Sequence, residues 1–199
     1  MGVSAADVKT LRDKTGAGMM DCKQALQETN GDIEAAIDYL RKKGMQKVEK
    51  KSGRATEQGI VYSYIHPGNR LGVLLEIACE TDFVARTDDF IQMAKDIAMH
   101  IAASKPKAIA REEITQQDID HEMDIYRAQA RDQGKPENVI EKMITGKLNK
   151  YYEENCLLEQ PFVKDPKKTV QEYLKETIAK LGENMLIRRF ARFEIGEEV

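Results

Sequence analysis

Few side chains in this sequence could carry out covalent chemistry, and their spacing does not bring them together in an active-site motif. The three histidines, His66, His100 and His121, are widely separated, and none lies beside a serine or cysteine in a nucleophile motif. Asp88 and Asp89 could suggest a metal site, but the helix dipole also favours acids at a helix start. The sequence has no phosphate-binding loop, dinucleotide fingerprint or paired metal motif. We therefore predict a non-enzymatic binding protein with no cofactor and no metal.

Cysteine usage and charge narrow the class of protein further. Cys22, Cys79 and Cys156 are odd in number, far apart and not in CxxC pairs, which fits a reduced cytosolic chain better than a disulfide framework or a zinc site. The sequence shows no signal-peptide pattern and no apolar run of about 18 residues. Its net charge of −3 argues against a general nucleic-acid binder. We predict a cytoplasmic protein with no membrane partner and no direct nucleic-acid partner.

One short stretch combines an acid and an aromatic residue where a partner protein could be contacted. The stretch consists of Thr81, Asp82, Phe83, Val84, Ala85 and Arg86. It follows an apolar run at 71–80, predicted to be a buried strand, and precedes a helical pattern that begins near Thr87. A turn there lies at the surface by default. Two interpretations are open: Phe83 folds back under the helix and caps the core, or it projects as an apolar wedge beside a charge, aimed at a partner.

The elements before this stretch predict a small docking module followed by a basic linker. Residues 1–43 predict three short helices, separated by the glycines at 16 and 18 and by Asn30-Gly31. Residues 44–57 form the linker, where basic residues cluster around a lone Glu49. The cluster consists of Arg41, Lys42, Lys43, Lys47, Lys50, Lys51 and Arg54. We favour a solvated, partly helical connector over a phosphate-contacting patch, because no aromatic residues interleave the charges.

The remainder, 58–199, predicts one core domain of an α+β protein. Strands at 59–65 and 71–79 form a hairpin, and a helix capped by Thr87 would cover it. A helical hairpin at about 116–152 and a loop at 157–166 follow, and Thr169 with Glu172 forms a capping box before a last helix. We expect a closing strand at about 185–195 to complete a three-stranded antiparallel sheet.

The closing strand has two unlike sides. One side carries Met185, Ile187, Ala191, Phe193 and Ile195. The other carries Arg188, Phe190, Arg192 and Glu194. A phenylalanine between two arginines is poorly suited either to burial or to solvent. This mixed side suits contact with another subunit, so we interpret Arg188, Phe190 and Arg192 as a dimer face.

Several stretches together resemble a known family. Residues 11–23, which include Thr-Gly-Ala-Gly-Met-Met-Asp-Cys-Lys, are similar to the N-terminal signature of bacterial elongation factor Ts, and residues 30–36 continue it. Residues 79–86 resemble the second signature of that family. Residues 160–163 and the C-terminal Arg-Phe-Glu-Ile-Gly also fit. The resemblance runs from about Val3 to Val199, with two long motifs in the right order.

The resemblance implies a guanine nucleotide exchange factor for elongation factor Tu, the GTPase that delivers aminoacyl-tRNA to the ribosome. It implies a ubiquitin-associated-like fold for 1–43, docked on the nucleotide-binding domain of the GTPase. The docking residues carried over by motif are Leu11, Met19, Met20 and Lys23. Phe83 would insert near the magnesium site of the GTPase, with Asp82 bonding alongside and Arg86 where a basic residue is usual. The partner would be met both in its GDP-bound and in its nucleotide-free form.

The length resembles the short form of the family, which has a single sheet-and-helix subdomain. Short-form relatives pair through that sheet, which implies a homodimer in an assembly of two exchangers and two GTPases. The resemblance leaves open whether a cysteine bridges the dimer. Three other interpretations are weaker: an adaptor built on the N-terminal module, an RNA-binding protein built on the basic cluster, and an unrecognised enzyme. The adaptor leaves Asp82 and Phe83 without a purpose.

Overall fold

The computed structural model describes residues 3–197, apart from the side chain of Lys47. The ends of the predicted module and core domain, at 1–2 and 198–199, therefore lie outside the described residues, as does the Lys47 side chain of the predicted linker. The helices are Ala5–Thr15 (α1), Met19–Glu28 (α2), Ile33–Glu49 (α3), Asp82–Ala85 (α4), Asp88–Ser104 (α5), Gln116–Asp132 (α6), Glu137–Asn155 (α7) and Val170–Leu181 (α8). The strands are Gln58–Ile65 (β1), Leu71–Cys79 (β2), Pro161–Phe162 (β3), Asp165–Thr169 (β4) and Met185–Glu194 (β5).

The sheet confirms the predicted α+β class. Its three antiparallel strands lie in the order β1-β2-β5, so the closing strand pairs with the second strand of the hairpin. The prediction of a loop at 157–166 was wrong in part, because β3 and β4 pair as a small antiparallel hairpin. Two residues are too short for a strand to leave a periodic signal in the sequence. None of the helices within 3–197 is long and apolar enough to cross a membrane.

The chain divides into two compact units, each assembled from segments that are distant in sequence. Within the described residues, the first unit comprises 3–60, 77–93 and 174–186. The second comprises 61–76, 94–173 and 187–197. Fully buried side chains of the first unit are Leu11, Cys22, Leu26, Ile77, Phe90 and Met93. Those of the second are Leu75, Ile97, His100, Ile101, Ile140 and Leu157.

The first and third helices begin at capping residues that the sequence displays. The Ser4 hydroxyl accepts a hydrogen bond from the Asp7 N–H at 3.1 Å, and the Asp32 carboxylate accepts one from the Ala35 N–H at 3.0 Å. Both are N-caps, which satisfy backbone donors that a helix start leaves unpaired. The buried residues of the three helices form one cluster. Its members are Val8, Leu11, Cys22, Ala25, Leu26 and Ala36.

The third helix continues past residue 43, where the docking module was predicted to end. It runs to Glu49 and includes the first part of the predicted linker. A Cβ added at Gly44 would lie 3.2 Å from the Cβ of Ala179, so the missing side chain allows α3 and α8 to approach closely. Val48 is buried beyond that point. Tertiary packing therefore extends the helix into a sequence that reads as a charged connector.

Two further predicted elements are present. Helices α6 and α7 occupy the predicted helical hairpin, and Ala130, Ile140 and Ile144 form a small core between them. The predicted capping box is confirmed: the Thr169 N–H donates to the Glu172 carboxylate at 3.0 Å, and the Glu172 N–H donates to the Thr169 hydroxyl at 3.2 Å.

Candidate functional site

The predicted contact stretch, 81–86, forms a single helical turn instead of an irregular turn. Thr81 is its N-cap: the Thr81 hydroxyl accepts a hydrogen bond from the Val84 N–H at 3.4 Å. The Ala85 N–H donates to the Thr81 carbonyl at 3.3 Å, and Ala85 is buried. The short helix α4 is thus held at its N-cap, Thr81, and at its last residue, Ala85.

Phe83 projects from this turn. Its exposed fraction is 81%, so the interpretation of Phe83 as a cap on the core is wrong. Beside it, the Arg86 guanidinium lies 2.9 Å from the Asp82 carboxylate in an exposed i,i+4 ion pair. Such surface pairs contribute about 0.3–0.5 kcal/mol, so Asp82 can change partner at little cost. Of the six predicted residues, Asp82, Phe83 and Arg86 present side chains outward, and the others support the turn.

A carboxylate from a distant part of the chain holds the cap residue. The Glu183 carboxylate accepts hydrogen bonds from the Thr81 hydroxyl at 2.6 Å and from the Thr81 N–H at 3.0 Å. The Cys79 thiol donates to the Thr81 carbonyl at 3.1 Å. Burial, with a further contribution from the Glu183 charge, raises the pKa of the Cys79 thiol, which keeps it a protonated donor at neutral pH. Every polar backbone and side-chain group of Thr81 therefore has a partner.

The segment that carries Glu183 is itself anchored. Gly182 has a φ of 82°, a left-handed conformation that ends α8. The Asn184 N–H donates to the Glu80 carboxylate at 2.6 Å, and the Asn184 side-chain amide donates to the Arg54 carbonyl at 2.9 Å. Sequence reasoning missed Glu183, Glu80 and Asn184. No local signal could reveal them, since Thr81 and Glu183 are 102 positions apart.

The predicted docking residues separate into two groups. Met20 is 77% exposed and Met19 is 54% exposed, and Lys23 is also exposed on α2. Leu11 is fully buried in the core of the three helices. The prediction that Leu11 contacts a partner was therefore wrong: an inward position of α1 makes it a support for the module.

Three members of the basic cluster at 41–54 contact other described residues of the chain. The Lys43 ammonium lies 3.1 Å from the Asp21 carboxylate, and the Arg54 guanidinium lies 3.4 Å from that of Glu80. The Lys51 ammonium donates to the Gly182 carbonyl. These contacts favour the interpretation of the cluster as a structural connector over a phosphate-binding patch.

The closing strand differs from the predicted arrangement of its sides. Arg188 is exposed and Phe190 is half-buried, whereas the Arg192 side chain is only 9% exposed. The Arg192 guanidinium donates to the Ala102 carbonyl at 3.3 Å and pairs with Glu194 and Glu197. These bonds hold Arg192 inward, so it does not present its charge to a partner.

The side that carries Met185, Ile187, Phe193 and Ile195 is divided: Met185 and Ile187 are buried, whereas the last two residues are exposed. Phe193 and Ile195 are 62% and 61% exposed, and they line a shallow groove with Ile65 and Leu74. Val61, two pleats before Ile65 on β1, is exposed as well. We call these five residues the apolar sheet face. Soluble monomers rarely leave so many large apolar side chains together in water.

The histidines and cysteines form no reactive group in the described residues. His100 is fully buried; its Nε2 pairs with the Gln160 amide oxygen at 2.9 Å, and its Nδ1 accepts from the Val163 N–H at 3.1 Å. Burial lowers the pKa of His100. All three cysteines are buried free thiols. Residues 3–197 contain no cluster of three or more His, Cys, Asp or Glu side chains suited to a metal ion.

Comparison with known proteins gives a consistent result. The family model "Elongation factor TS" matches residues 4–197. The chain is 60% identical to elongation factor Ts of Geobacter sulfurreducens over 99% of this chain and 91% of that protein. It is 55% identical to that of Moorella thermoacetica over 99% and 97%, and 59% identical to that of Syntrophomonas wolfei over 99% and 92%. The exposed Phe83 turn and the exposed methionines of α2 therefore stand on a chain that belongs to the elongation factor Ts family.

Proposed function

We propose that this protein is the guanine nucleotide exchange factor for elongation factor Tu in translation elongation. It binds the GDP-bound GTPase and promotes GDP release without making or breaking a covalent bond. The observation that carries the proposal is Phe83, an aromatic side chain 81% exposed on a fixed helical turn within the second family signature. An aromatic side chain left in water on a supported turn is typical of a partner-binding anchor. The site of action is the cytoplasm, where translation elongation takes place.

The mechanism follows from what an apolar wedge can do to a nucleotide site. Phe83 enters between helices of the GTPase near its magnesium site, and Asp82 bonds beside it. Because Mg²⁺ holds the β-phosphate, a shift of the elements around the metal weakens GDP binding without a contact to the guanine. The exchanger needs only to bind the nucleotide-free form more tightly than the GDP form. Each ~1.4 kcal/mol of that difference is a tenfold loss of nucleotide affinity.

The N-terminal module provides a second contact. Met19 and Met20 lie exposed at the start of α2, and Lys23 lies one turn further on. Flexible methionine side chains suit an adaptable apolar contact. We assign these three residues to docking on the nucleotide-binding domain. In the proposed mechanism the N-terminal module increases the affinity for the GTPase, and the Phe83 turn displaces the elements around its nucleotide site.

We also propose that the protein forms a homodimer, in an assembly of two exchangers and two GTPases. The apolar sheet face supports this, since a flat apolar surface can meet a second copy of itself across a two-fold axis. Phe193 and Ile195 are therefore the central residues of the proposed interface. Arg188 and Phe190 can contribute at its rim, while Arg192 acts by holding the end of β5 in place.

Release of a fluorescent GDP analogue from purified elongation factor Tu tests the exchange function. We expect a small amount of this protein to accelerate release from a large excess of the GTPase, since an exchanger dissociates and acts again. A folded sample that does not accelerate release would contradict the proposal. In that case the adaptor interpretation, with the N-terminal module capturing another helix or peptide, would take its place.

A further inference from the structure

We propose that Glu183 is a positioning residue for nucleotide exchange: its carboxylate holds Thr81 and thereby fixes the turn that presents Phe83. This inference rests on the proposed function. Glu183 lies after α8, 102 positions from Thr81 in the family signature at 79–86. In the proposed mechanism it does not contact the partner protein. It acts through two hydrogen bonds, to the Thr81 N–H at 3.0 Å and to the Thr81 hydroxyl at 2.6 Å.

The bonds from Glu183 orient the hydroxyl that caps α4. The Thr81 hydroxyl has one proton, and that proton is directed to the carboxylate. Its lone pairs are then free to accept from the Val84 N–H. A carboxylate is suited to this role because it accepts at both positions and donates at neither. Hydrogen bonds to a charged acceptor are also stronger than neutral ones.

Helix α4 depends on the hydrogen bonds between Glu183 and Thr81 because few other contacts stabilise it. It contains four residues, and so short a helix is not stable by its own backbone bonds. Only Ala85 is buried, and Phe83 gains almost no support from its own protein because it is 81% exposed. The position of the Phe83 ring is therefore set by the residues that hold the two ends of the turn.

Hydrogen bonds of the adjacent residue fix the segment that carries Glu183. The adjacent Asn184 is 2% exposed, and its N–H donates to the Glu80 carboxylate at 2.6 Å. Glu80 and Glu183 thus each accept a hydrogen bond from a backbone N–H of the other segment, and these reciprocal bonds join the two segments. The Asn184 side chain also bonds the Ser52 and Arg54 carbonyls, at 3.3 and 2.9 Å. Three segments of the first unit, at 52–54, 79–81 and 183–184, meet at this point.

A released turn would still carry Phe83, but the ring would have to be ordered each time it binds. The conformational entropy lost in this ordering raises the free-energy barrier of the step in which Phe83 enters the GTPase. Loss of two charge-assisted hydrogen bonds predicts a fall of about tenfold or more in the maximal release rate. Docking through Met19 and Met20 is unaffected, so the concentration of exchanger that gives half-maximal release should change much less.

The test compares Glu183→Ala, Glu183→Gln and the control Glu153→Ala, which removes an exposed glutamate of α7. Two quantities are measured: GDP release from elongation factor Tu at saturating exchanger, and amide hydrogen exchange of residues 79–86. We expect Glu183→Ala to lose amide protection at Thr81 and Val84 but not along α5, and to slow maximal release about tenfold or more. Glu183→Gln, which keeps one acceptor, should fall between Glu183→Ala and the native protein. The control should match the native protein in both.

A second comparison asks whether Glu183 acts through Thr81. Thr81→Val removes the hydroxyl that bonds both Glu183 and the Val84 N–H, and the double variant Thr81→Val with Glu183→Ala should slow GDP release by less than the product of the two single effects. Fully additive losses would contradict a shared route.

The possible failures are distinguishable. If the native protein and Glu153→Ala accelerate release and Glu183→Ala is equally fast, the inference is overturned and the exchange function stands. Loss of amide protection throughout α5 and α8 in both Glu183 variants would also overturn it, because Glu183 would then hold the core. If the native protein itself does not accelerate release, the proposed function is wrong, and the inference is wrong with it.

Discussion

Replacement of Phe83 by alanine tests whether this side chain acts on the partner protein or stabilises the fold of its own chain. Because Phe83 is 81% exposed, its removal leaves no cavity, and we expect the free energy of unfolding to change by less than about 1 kcal/mol. By contrast, Phe90 is fully buried, and alanine there should cost about 3–5 kcal/mol. The comparison of the two variants by thermal denaturation checks the first half of the prediction.

The effect on exchange follows from the area that Phe83 offers. A phenylalanine side chain has about 150–250 Å² of surface, so about 120–200 Å² remains to be buried in a partner. At about 25 cal/mol per Å², complete burial gives about 3–5 kcal/mol as an upper limit. Only the part gained on the way to nucleotide release appears in the rate. A hot-spot contribution of about 2 kcal/mol corresponds to about 30-fold slower release.

Stopped-flow release of fluorescent GDP, at saturating exchanger, measures this change directly. The control is Ile125→Ala, an exposed apolar residue of α6 outside the Phe83 turn, the docking residues and the apolar sheet face, which should leave release unchanged. Refutation would take one of two forms. A folded Phe83→Ala protein with the native release rate would exclude the wedge, and an unfolded one would show that Phe83 supports its own core.

Three further predictions concern docking, assembly and pH. Met19→Ala with Met20→Ala should raise the dissociation constant for elongation factor Tu by about tenfold or more while the release rate within the complex changes less, and unchanged affinity by calorimetry would exclude the docking role. Phe193→Asp should convert a dimer to a monomer in sedimentation velocity without unfolding it; a native protein that is monomeric at high concentration would contradict the proposed interface. Burial lowers the pKa of His100 in the folded protein, so as the pH falls the unfolded chain binds the proton before the folded protein does. The contribution of neutral His100 to the free energy of unfolding is fully present above the unfolded pKa of about 6.5 and should be lost as the pH falls below it. His100→Gln should flatten this acid-side slope in thermal melts, whereas the exposed His121→Gln should retain it.

Much of the fold could be predicted because its signals are local. Helix starts at Ser4 and Asp32 and the capping box at Thr169 and Glu172 depend on residues three positions apart, a spacing that the sequence displays directly. The hairpin of β1 and β2 likewise depends on one turn. Such features need no knowledge of the tertiary structure.

Three of the features that sequence reasoning missed depend on contacts between distant segments. The extension of α3 requires Gly44 to meet Ala179, and the anchoring of Thr81 requires Glu183. The inward turn of Arg192 requires the Ala102 carbonyl and two carboxylates. In each case the local pattern is compatible with more than one tertiary partner, and packing decides between them.

The proposed exchange function requires that this protein bind elongation factor Tu more tightly without its nucleotide than with GDP. The most direct measurement is the dissociation constant of the complex with nucleotide-free elongation factor Tu and with the GDP–Mg²⁺ form, by titration under the same conditions. We predict at least about tenfold tighter binding to the nucleotide-free form, and a smaller ratio for Phe83→Ala. Equal affinities would contradict the claim, because a ligand that binds two states equally cannot shift the balance between them.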